Sequence, residues 1–337
     1  MVDAQARRDS GTPAHALFYE APFSAAIRTV GNPILTEHDG HKADLLIRTL
    51  YSGLSRGTER LVFEGRLPEG EWGRMRAPYQ DGEFPFPVKY GYSAVGVVEA
   101  GDKALIGRRI FALYPHQTAF ALPARAVIPL PDSVPARRAI LAANMETALN
   151  ALWDSGAGAG QQISVIGGGL VGCLIARLSS RLPGATVTLI DIQPDRAEIA
   201  EALGVDFALP ETAWPGADIV FHTSATEPGL RLALDIAGFE ARIVEMSWFG
   251  DREINLPLGG AFHSQRLQII SSQVGAVSPA RRASVSHRQR LETAISLLDD
   301  ARLDALITEE VAFDDLPAEL PRLLASDAPG IATAIRY

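Results

Sequence analysis

The chain has 337 residues, of which 47% are hydrophobic, and this is enough for two packed domains. Its formal net charge of −9 argues against nucleic-acid binding, which needs a basic face, and offers no attraction to anionic lipid. No apolar run reaches the roughly eighteen residues of a membrane span, and the single cysteine excludes an intramolecular disulfide or a multi-cysteine metal site.

The segment 1–14 is polar and lacks the apolar core of a signal peptide. We expect it to be a disordered leader in a cytoplasmic protein. From residue 15 to residue 133, short apolar runs such as 45–47, 94–98 and 110–113 alternate with glycine and proline. This pattern predicts a compact, largely antiparallel β domain.

The alanine-rich segment 137–153 has helical composition and contains no helix breaker. Beyond it, strands and helices alternate, which indicates a doubly wound parallel sheet. Strands are predicted at 162–166, 185–190, 217–222, 242–246 and 267–272, and a helix at 228–237. In the tail, helices are predicted at 287–298 and 316–324, and a last strand at 331–335.

A glycine motif of the form G-x-G-x-x-G follows the apolar run 162–166 and is formed by Gly167, Gly169 and Gly172. The first glycine permits a tight turn, the second lets the backbone approach a pyrophosphate, and the third packs the helix against the strand. Leu170 and Val171 open the helix, whose free N–H groups would face the phosphates. The motif therefore predicts a dinucleotide site.

An acidic residue, Asp191, ends the second predicted strand about twenty residues after the glycines. A carboxylate there would accept hydrogen bonds from the adenosine ribose and repel the extra phosphate of NADP. We therefore predict NAD(H), with NADP(H) as the weaker alternative. Ile192 belongs to the same expected cofactor segment, and Arg196 is an arginine close enough to admit the phosphate of NADP.

The order of parts, with a β-rich domain before a late glycine motif, resembles that of the medium-chain dehydrogenase/reductase superfamily. The segments 51–59 and 87–99 carry the resemblance, which extends from about residue 15 to the end. It implies an α/β fold with a GroES-like β-rich catalytic domain at 15–133 and 302–337, and a Rossmann cofactor domain at 134–301. It also implies a homodimer.

Three positions depart from the zinc-dependent members of that family. Ser55 stands where they carry a cysteine, Tyr92 and Ser93 stand where they carry histidine and glutamate, and the third ligand falls at or beside Ala143. These residues give no usable ligand set for Zn(II), which prefers thiolate, imidazole and carboxylate. We therefore expect a protein without a metal.

Among zinc-free relatives, the segment Ser-Gly-Leu-Ser-Arg-Gly-Thr-Glu, at residues 52–59, is most similar to the branch that contains bacteriochlorophyllide dehydrogenases. The glycine–tyrosine pair at 91–92 adds to this similarity. Enzymes of that branch oxidise a hydroxyethyl group on a tetrapyrrole to acetyl with NAD. The resemblance implies this type of reaction and leaves the ring compound open.

Without zinc, side chains must stabilise the charge on the substrate oxygen and manage one proton. Tyr92 is the first candidate, and Ser55 and Thr58 could complete a cluster of hydroxyl donors. An aromatic packed between domains and hydroxyls bonded to turns are the structural alternatives. His116 is a candidate for a proton or substrate role, against a surface histidine.

Glu146 and Asn144 lie near the expected third ligand position. Glu146 is included among the catalytic candidates. The alternative, which we prefer, is a structural ion pair of Glu146 with a basic neighbour such as Arg56 or Lys89.

Further cofactor contacts are implied by the resemblance. Thr223 and Ser224 match residues near the adenosine ribose, and Ser247 and Ser272 match residues near the nicotinamide. Each of these hydroxyls also suits a turn at the end of a strand. Cys173, just inside the nucleotide helix, is expected to pack as a small apolar side chain.

Two basic groups could bind an anionic substrate or form a solvated face, and we favour the second interpretation. They consist of Arg74 and Arg76, and of Arg281, Arg282, His287, Arg288 and Arg290. The first two lie in an aromatic-rich insertion, 70–85, that could wall a flat substrate or contact another copy of the chain.

The leading hypothesis is a zinc-independent, NAD(H)-dependent oxidoreductase. It would transfer hydride between nicotinamide and a secondary alcohol or ketone, including a hydroxyethyl or acetyl group on a ring. One alternative is an enoyl or quinone reductase that uses NAD(P)H. The other is a dinucleotide-binding regulatory protein without turnover.

Overall fold

The computed structural model describes residues 13–38 and 41–337. The chain divides into two compact units, the first comprising residues up to Leu141 together with Thr308–Tyr337, and the second Ala142–Ile307. The boundaries expected from the sequence, after 133 and after 301, lie a few residues earlier. Most of the expected leader falls outside the described residues, and the first strand begins at Ala14.

The strands, in chain order, are β1 Ala14–Ala21, β2 Ser24–Val30, β3 Thr36–His38, β4 His41–Ala43, β5 Leu45–Leu54, β6 Asp81–Gly82, β7 Val88–Lys89, β8 Ala94–Gly101, β9 Arg109–Ala112, β10 Ala119–Leu122, β11 Ile128–Pro129, β12 Gln162–Ile166, β13 Thr186–Ile190, β14 Asp206–Ala208, β15 Ala217–His222, β16 Ala237–Glu245, β17 Gln268–Ser271, β18 Ile307–Ala312 and β19 Ala332–Arg336.

The α-helices are α1 Arg56–Glu64, α2 Ala136–Ala139, α3 Ala142–Ser155, α4 Leu170–Ser179, α5 Arg196–Leu203, α6 Glu227–Ile236, α7 Ala261–Ser264, α8 His287–Ser296 and α9 Leu316–Leu323. No helix of the described part of the chain is both long and apolar enough to cross a membrane.

The first unit is built around the long strand β5. It pairs antiparallel with β8, β10 and β19, and the larger sheet has the order β11-β9-β8-β5-β19-β18. A second sheet has the order β2-β1-β7-β6. In the larger sheet, alternate residues, among them Leu45, Ile47, Ile110 and Phe120, point into one core because side chains alternate across a strand. Because the C-terminal strand β19 pairs with β5, it belongs to the first unit.

The second unit is a parallel sheet of order β14-β13-β12-β15-β16-β17. Its strands are nearly continuous apolar runs because helices cover both faces. Val220, Leu234 and Ile243 belong to one buried core. The strand order reverses between β12 and β15, and ligands of doubly wound sheets bind at the carboxyl ends of the strands beside such a point. The α/β class with a β-rich first unit agrees with the expectation from sequence.

The helix predicted over 137–153 differs from the structure, which has two helices, α2 and α3. Between them the Ile140 carbonyl accepts a hydrogen bond of 2.5 Å from the Ser93 hydroxyl. A side chain distant in sequence therefore accompanies the break, although the segment contains no residue that disfavours helix.

Candidate active and cofactor-binding sites

Three hydroxyl groups meet in the first unit, where β5 ends and α1 begins. Ser55 precedes the first residue of α1, Thr58 lies in its first turn, and Tyr92 follows β7. The Tyr92 hydroxyl donates to Ser55 Oγ over 2.5 Å, and the Thr58 hydroxyl also bonds Tyr92. Burial raises the pKa of Tyr92 to about 12, so the phenol stays protonated at neutral pH. The three hydroxyl candidates predicted from sequence therefore lie together.

This cluster does not fit a zinc ion. Ser55 and Tyr92, which the resemblance places at ligand positions of zinc-dependent relatives, are hydroxyls bonded to each other. Neutral hydroxyls are poor substitutes for thiolate and imidazole. Within residues 13–38 and 41–337, no group of three histidine, cysteine, aspartate or glutamate side chains is placed to hold a metal.

His116 is fully buried, so the alternative of a surface histidine is excluded. Its Nε2 lies 2.9 Å from Glu59 Oε2, and its Nδ1 lies 2.7 Å from Ser52 Oγ. Glu59, a residue that sequence reasoning missed, is also fully buried. It accepts a further bond of 2.6 Å from the Tyr19 hydroxyl and one of 2.7 Å from the Ser55 N–H.

The Ser55 N–H bond matters because it joins Glu59 to the hydroxyl cluster. Glu59 lies four residues after Ser55 on the first turn of α1, so a side chain there can reach back to the residue before the helix. An acidic residue in a first turn is a recognisable sequence signal. Its burial against His116 could not be read from that signal.

Glu146 forms a buried ion pair with Arg290, with 3.0 Å between Oε1 and Nε, and both residues lie in the second unit. The structural ion pair expected for Glu146 therefore exists, but the expected partners were wrong. Arg56 donates instead to the carbonyl of Ala328 over 2.6 Å, and Lys89 donates to Gln117 Oε1 over 3.0 Å. Burial raises the pKa of Glu146, and the charge of Arg290 opposes this.

The solvated face expected for the second basic group is also wrong for Arg290, whose side chain is 2% exposed. Its guanidinium donates to Asn150 Oδ1 and to the carbonyls of Val274 and Ala276 as well as to Glu146. The packing of α8 against α3 places this residue in the interior. The helical pattern of α8 gave no sign that one of its arginines is buried.

In the second unit, the protein's own structure requires two glycines of the motif but not the third. Gly167 has φ +108°, and a Cβ at Gly172 would lie 2.0 Å from the Gly167 carbonyl oxygen. The protein itself requires glycine at both positions. A Cβ at Gly169 would meet no atom within 4 Å, and its φ of −77° suits any residue. The open space before Gly169, Leu170 and Val171 is therefore room for a ligand against the first turn of α4.

Asp191 lies at the carboxyl end of β13 and faces this loop. Its Oδ2 accepts from the Gly168 N–H over 2.6 Å, and its Oδ1 accepts from the Gln193 N–H over 2.8 Å. Each oxygen keeps a lone pair for a further donor. Ile192 is 79% exposed, and the stem of Arg196 passes over Gly168. Asp191 and Arg196 thus lie against the glycine loop at Gly168.

The predicted cofactor hydroxyls are engaged in different ways. Thr223 donates to the carbonyls of Ile166 and Gly167 and so supports the glycine loop. Ser272 donates to Asp154 Oδ2 over 2.6 Å, which ties β17 to α3. Ser247 Oγ accepts from the Ala225 N–H over 3.0 Å. These contacts hold the carboxyl edge of the sheet together.

Ser224 belongs to a chain of side chains that sequence reasoning missed. Its Oγ lies 2.7 Å from His222 Nε2, and His222 Nδ1 lies 2.7 Å from Glu245 Oε2. His222 is fully buried, whereas Ser224 is partly exposed. His222 and Glu245 are paired residues at the ends of β15 and β16. Their pairing depends on sheet register, so the sequence could not reveal it.

Cys173 is fully buried and its thiol contacts the Gly168 carbonyl at 3.4 Å. Burial raises the pKa of the thiol to about 12. A protonated, enclosed thiol packs as a small apolar group, as expected.

No protein-family model matches the chain. A zinc-type alcohol dehydrogenase-like protein of Haemophilus influenzae is 26% identical over 221 residues, which cover 61% of this chain and 60% of that protein. A 2-dehydro-3-deoxy-L-galactonate 5-dehydrogenase of Pseudoalteromonas atlantica is 30% identical over 139 residues, or 38% of this chain and 40% of the relative. The similarity thus spans less than two thirds of the length of these relatives.

Solved structures match over nearly the whole chain. The 2R,3R-butanediol dehydrogenase of Bacillus subtilis superposes with a TM-score of 0.75 at 16% identity, covering 96% of this chain and 99% of that one. An Escherichia coli alcohol dehydrogenase in complex with NADH gives 0.75 at 15% identity, covering 97% and 100%. A dehydrogenase of Sinorhizobium meliloti bound to NADP gives 0.76 at 17% identity, covering 97% and 100%. The chain therefore has the fold of the medium-chain dehydrogenases, a GroES-like β-rich unit and a Rossmann unit, and its sequence is similar to zinc-type alcohol dehydrogenase-like proteins.

Proposed function

We propose that the chain is a zinc-independent, NAD(H)-dependent oxidoreductase that interconverts a secondary alcohol and a ketone. The observation that carries the proposal is the hydrogen bond of 2.5 Å between Tyr92 and Ser55. By the resemblance, these two residues stand where zinc-dependent relatives carry metal ligands, and they form a hydrogen-bonded pair of hydroxyls instead. Dehydrogenases are also what the similar sequences and folds have in common.

The second unit supplies residues that suit a dinucleotide. Gly167, Gly169 and Gly172 with the first-turn residues Leu170 and Val171 would hold the pyrophosphate, and Asp191 would accept from the adenosine ribose. Ile192, Thr223 and Ser247 would line the same edge. When bound, the nicotinamide supplies or accepts the hydride.

The preference for NAD(H) over NADP(H) rests on Asp191, whose charge would repel a phosphate on the ribose it binds. Similar folds do not decide the question, because one neighbour is bound to NADP and another to NADH. Arg196, beside Gly168, is the residue that would favour the phosphate.

The hydroxyl cluster would stabilise charge on the substrate oxygen. Reduction of a ketone develops negative charge there, and a donor aimed at that charge lowers the barrier. Tyr92 can act as this donor, because its raised pKa keeps it protonated and its single proton, which points to Ser55 Oγ in the structure, can turn to the substrate oxygen. Ser55 and Thr58 hold the phenol in place. Glu59 fixes the Ser55 backbone by accepting its N–H, so its role is positioning.

The substrate class extends the same proposal. The similarity of 52–59 to the bacteriochlorophyllide dehydrogenase branch favours a hydroxyethyl or acetyl group on a ring compound. We also propose that the protein acts as a homodimer on a small molecule in the cytoplasm. A substrate panel weighted toward acetyl-substituted and hydroxyethyl-substituted rings, with simple polyols for comparison, would test the class.

Binding of the cofactor can be tested with one variant at Gly169 and one at Asp191. In a fluorescence titration, we expect the wild type to bind NADH at least about tenfold more tightly than NADPH, since about 1.4 kcal/mol corresponds to a factor of ten. Gly169→Ala should weaken NADH binding, because its methyl group fills the open approach, while thermal stability stays close to wild type. Asp191→Ser should bring the two affinities together.

Saturation by NADPH without NADH binding would contradict the NAD(H) proposal and favour the enoyl or quinone reductase alternative. Binding of NADH without turnover of any alcohol, carbonyl or enone would instead favour the regulatory alternative. Gly172→Ala is unsuitable as a binding probe because its methyl group would clash with Gly167.

The donor role can be tested with Tyr92→Phe. We expect kcat to fall about 10²- to 10³-fold, the usual effect of losing one donor to a developing oxyanion, with the affinity for NADH unchanged. Tyr51→Phe, a variant of a half-buried tyrosine in β5, is the matched control. Zinc measured at one equivalent and needed for activity would refute the metal-free proposal.

A further inference from the structure

The hydrogen bonds around His222 suit a tautomer that carries its proton on Nδ1. Glu245 Oε2 lies 2.7 Å from His222 Nδ1, and a carboxylate can only accept, so Nδ1 carries the proton. When Nδ1 carries the only ring proton, Nε2 is an acceptor. In that tautomer Ser224 Oγ, 2.7 Å away, donates its proton to Nε2.

The side chain of Glu245 is held in place by a backbone N–H group. Its Oε1 accepts the Ser247 N–H over 2.7 Å, so the carboxylate cannot turn away from His222. The Glu245 side chain is 14% exposed, and the His222 side chain is fully buried. Nδ1 therefore faces an acceptor that the protein holds in place.

A second contact completes the orientation of Ser224. Thr226 Oγ1 accepts the Gly229 N–H over 3.1 Å as the cap of α6. Its hydroxyl lies 2.9 Å from Ser224 Oγ, whose own proton is already directed to His222. Ser224 Oγ therefore receives a bond from Thr226 and keeps one lone pair on its exposed side. It presents an acceptor to whatever approaches, so it would attract a hydroxyl and repel a phosphate oxygen.

The strand order indicates which part of a dinucleotide would meet this acceptor. Asp191 follows β13, on one side of β12, and Ser224 follows β15, on the other side. The adenosine ribose belongs with Asp191, and the glycine loop after β12 takes the pyrophosphate. Ser224 lies directly against that loop, since a Cβ on Gly167 would be 2.8 Å from its backbone nitrogen. The sugar across β12 from the adenosine is the ribose that carries the nicotinamide.

We propose that Ser224 accepts a hydrogen bond from the nicotinamide-side ribose, and that His222 and Glu245 are positioning residues that keep its proton turned inward. This assignment differs from the adenosine ribose that the sequence favours for Ser224. It rests on the proposed function, because it requires that the second unit binds a dinucleotide.

Three ligands separate the two riboses when bound to the full-length protein in calorimetric titrations. ADP carries the adenosine ribose alone, ADP-ribose adds the second ribose, and NADH adds the nicotinamide. For Ser224→Ala we expect about tenfold weaker binding of ADP-ribose and NADH, the value of one good hydrogen bond. Binding of ADP should change less than about twofold. Glu245→Gln should weaken ADP-ribose and NADH binding in the same way. The amide of that variant can donate to His222 Nδ1, so that Nε2 carries the ring proton and donates to Ser224, whose own proton then points toward the ligand.

Ser180→Ala is the matched control, since its hydroxyl bonds the Arg177 carbonyl at the far end of α4. It should leave all three affinities unchanged. An equal loss for ADP and ADP-ribose in Ser224→Ala would overturn the proposal in favour of the adenosine ribose or a general loss of structure. Wild-type affinity for ADP-ribose in that variant would overturn it as well.

The failure of this inference can be distinguished from failure of the proposed function. If the wild type binds neither ADP nor NADH, the dinucleotide site itself is wrong. If it binds both and Ser224→Ala behaves like the wild type, only the role of Ser224 is wrong.

Discussion

Each unit contains a chain of hydrogen bonds that runs from hydroxyls through a histidine to a glutamate. In the first unit the chain joins Tyr337, Ser52, His116 and Glu59, with distances of 2.9, 2.7 and 2.9 Å. In the second it joins Thr226, Ser224, His222 and Glu245, with distances of 2.9, 2.7 and 2.7 Å. The two chains have the same chemistry and similar lengths.

They differ in what surrounds the polar atoms. Ser52, His116 and Glu59 are completely enclosed, and Glu59 also receives bonds from Tyr19 and Ser55. Ser224 is partly exposed and keeps a lone pair free. A closed chain of this kind acts as a framework, because each buried group would cost free energy without its partner. A hydrogen-bond chain with an exposed end can instead present an oriented hydroxyl group to a ligand.

Alkaline pH should unfold the first unit selectively. All seven tyrosines belong to it. Burial raises the pKa of Tyr19, Tyr90, Tyr92, Tyr114 and Tyr337. A raised folded pKa means that the unfolded chain loses its protons first, near pH 10, so stability is complete below that pH and falls above it. At pH 11 we expect a loss of about 1 kcal/mol per tyrosine, or of order 5 kcal/mol.

Urea unfolding at several pH values would measure this loss, with tyrosinate absorbance reporting on the first unit. Three of the four tryptophans, Trp153, Trp214 and Trp248, lie in the second unit, so their fluorescence reports on that unit. A parallel loss in the tryptophan signal would show that the units do not respond separately.

Removal of the two glutamates should have unequal effects on stability. Glu59→Ala leaves a histidine, a phenol and a backbone N–H buried without an acceptor, and we expect a loss of about 3–5 kcal/mol. Glu245→Ala should lose about 1–2 kcal/mol, because water can reach the Ser224 end of its chain. Glu240→Ala, which removes an exposed partner of Arg266, should change stability by less than about 1 kcal/mol and is the control. Equal losses for Glu59→Ala and Glu245→Ala would show that the second hydrogen-bond chain is as essential to the fold as the first.

A glycine packs against each histidine, and replacing the two glycines by alanine should have different effects. Gly91 has φ +119°, and a Cβ there would lie 2.9 Å from His116 Nε2. Gly91→Ala should therefore destabilise the first unit by about 2–4 kcal/mol. At Gly229, a Cβ would lie 2.3 Å from Ser224 Oγ. Gly229→Ala should displace that hydroxyl and weaken ADP-ribose binding, while helix propensity offsets about 1 kcal/mol of strain.

The smallest contrast is expected at the serines. Ser52→Ala removes the partner of both His116 and Tyr337 in a closed interior, so a loss of about 2 kcal/mol in urea unfolding is expected. Ser224→Ala should lose less than about 1 kcal/mol, because solvent replaces its bonds. A loss for Ser224→Ala as large as for Ser52→Ala would mean that the second chain is also a closed framework.

Much of the glycine loop and the carboxylate against it could be predicted from the sequence, because the relevant residues are close together along the chain. Gly167, Gly169 and Gly172 lie on one turn between a strand and a helix, and Asp191 ends the next strand. Local spacing fixes such a loop, since each glycine answers a steric requirement of the backbone. The cluster of Ser55, Thr58 and Tyr92 was likewise expected, from two segments that resemble known relatives.

The partners of the buried charged groups were decided only by the tertiary structure. Arg290 and Glu146 are 144 residues apart, and His116 and Glu59 are 57 apart. His222 meets Glu245 because β15 and β16 pair in one register. Amphipathic patterns indicate which face of an element is buried, whereas a buried charge needs one specific partner whose position depends on how distant elements pack. For that reason the local sequence was enough to specify the glycine loop and its neighbouring acid, whereas the packing of distant elements decided which glutamate meets which histidine.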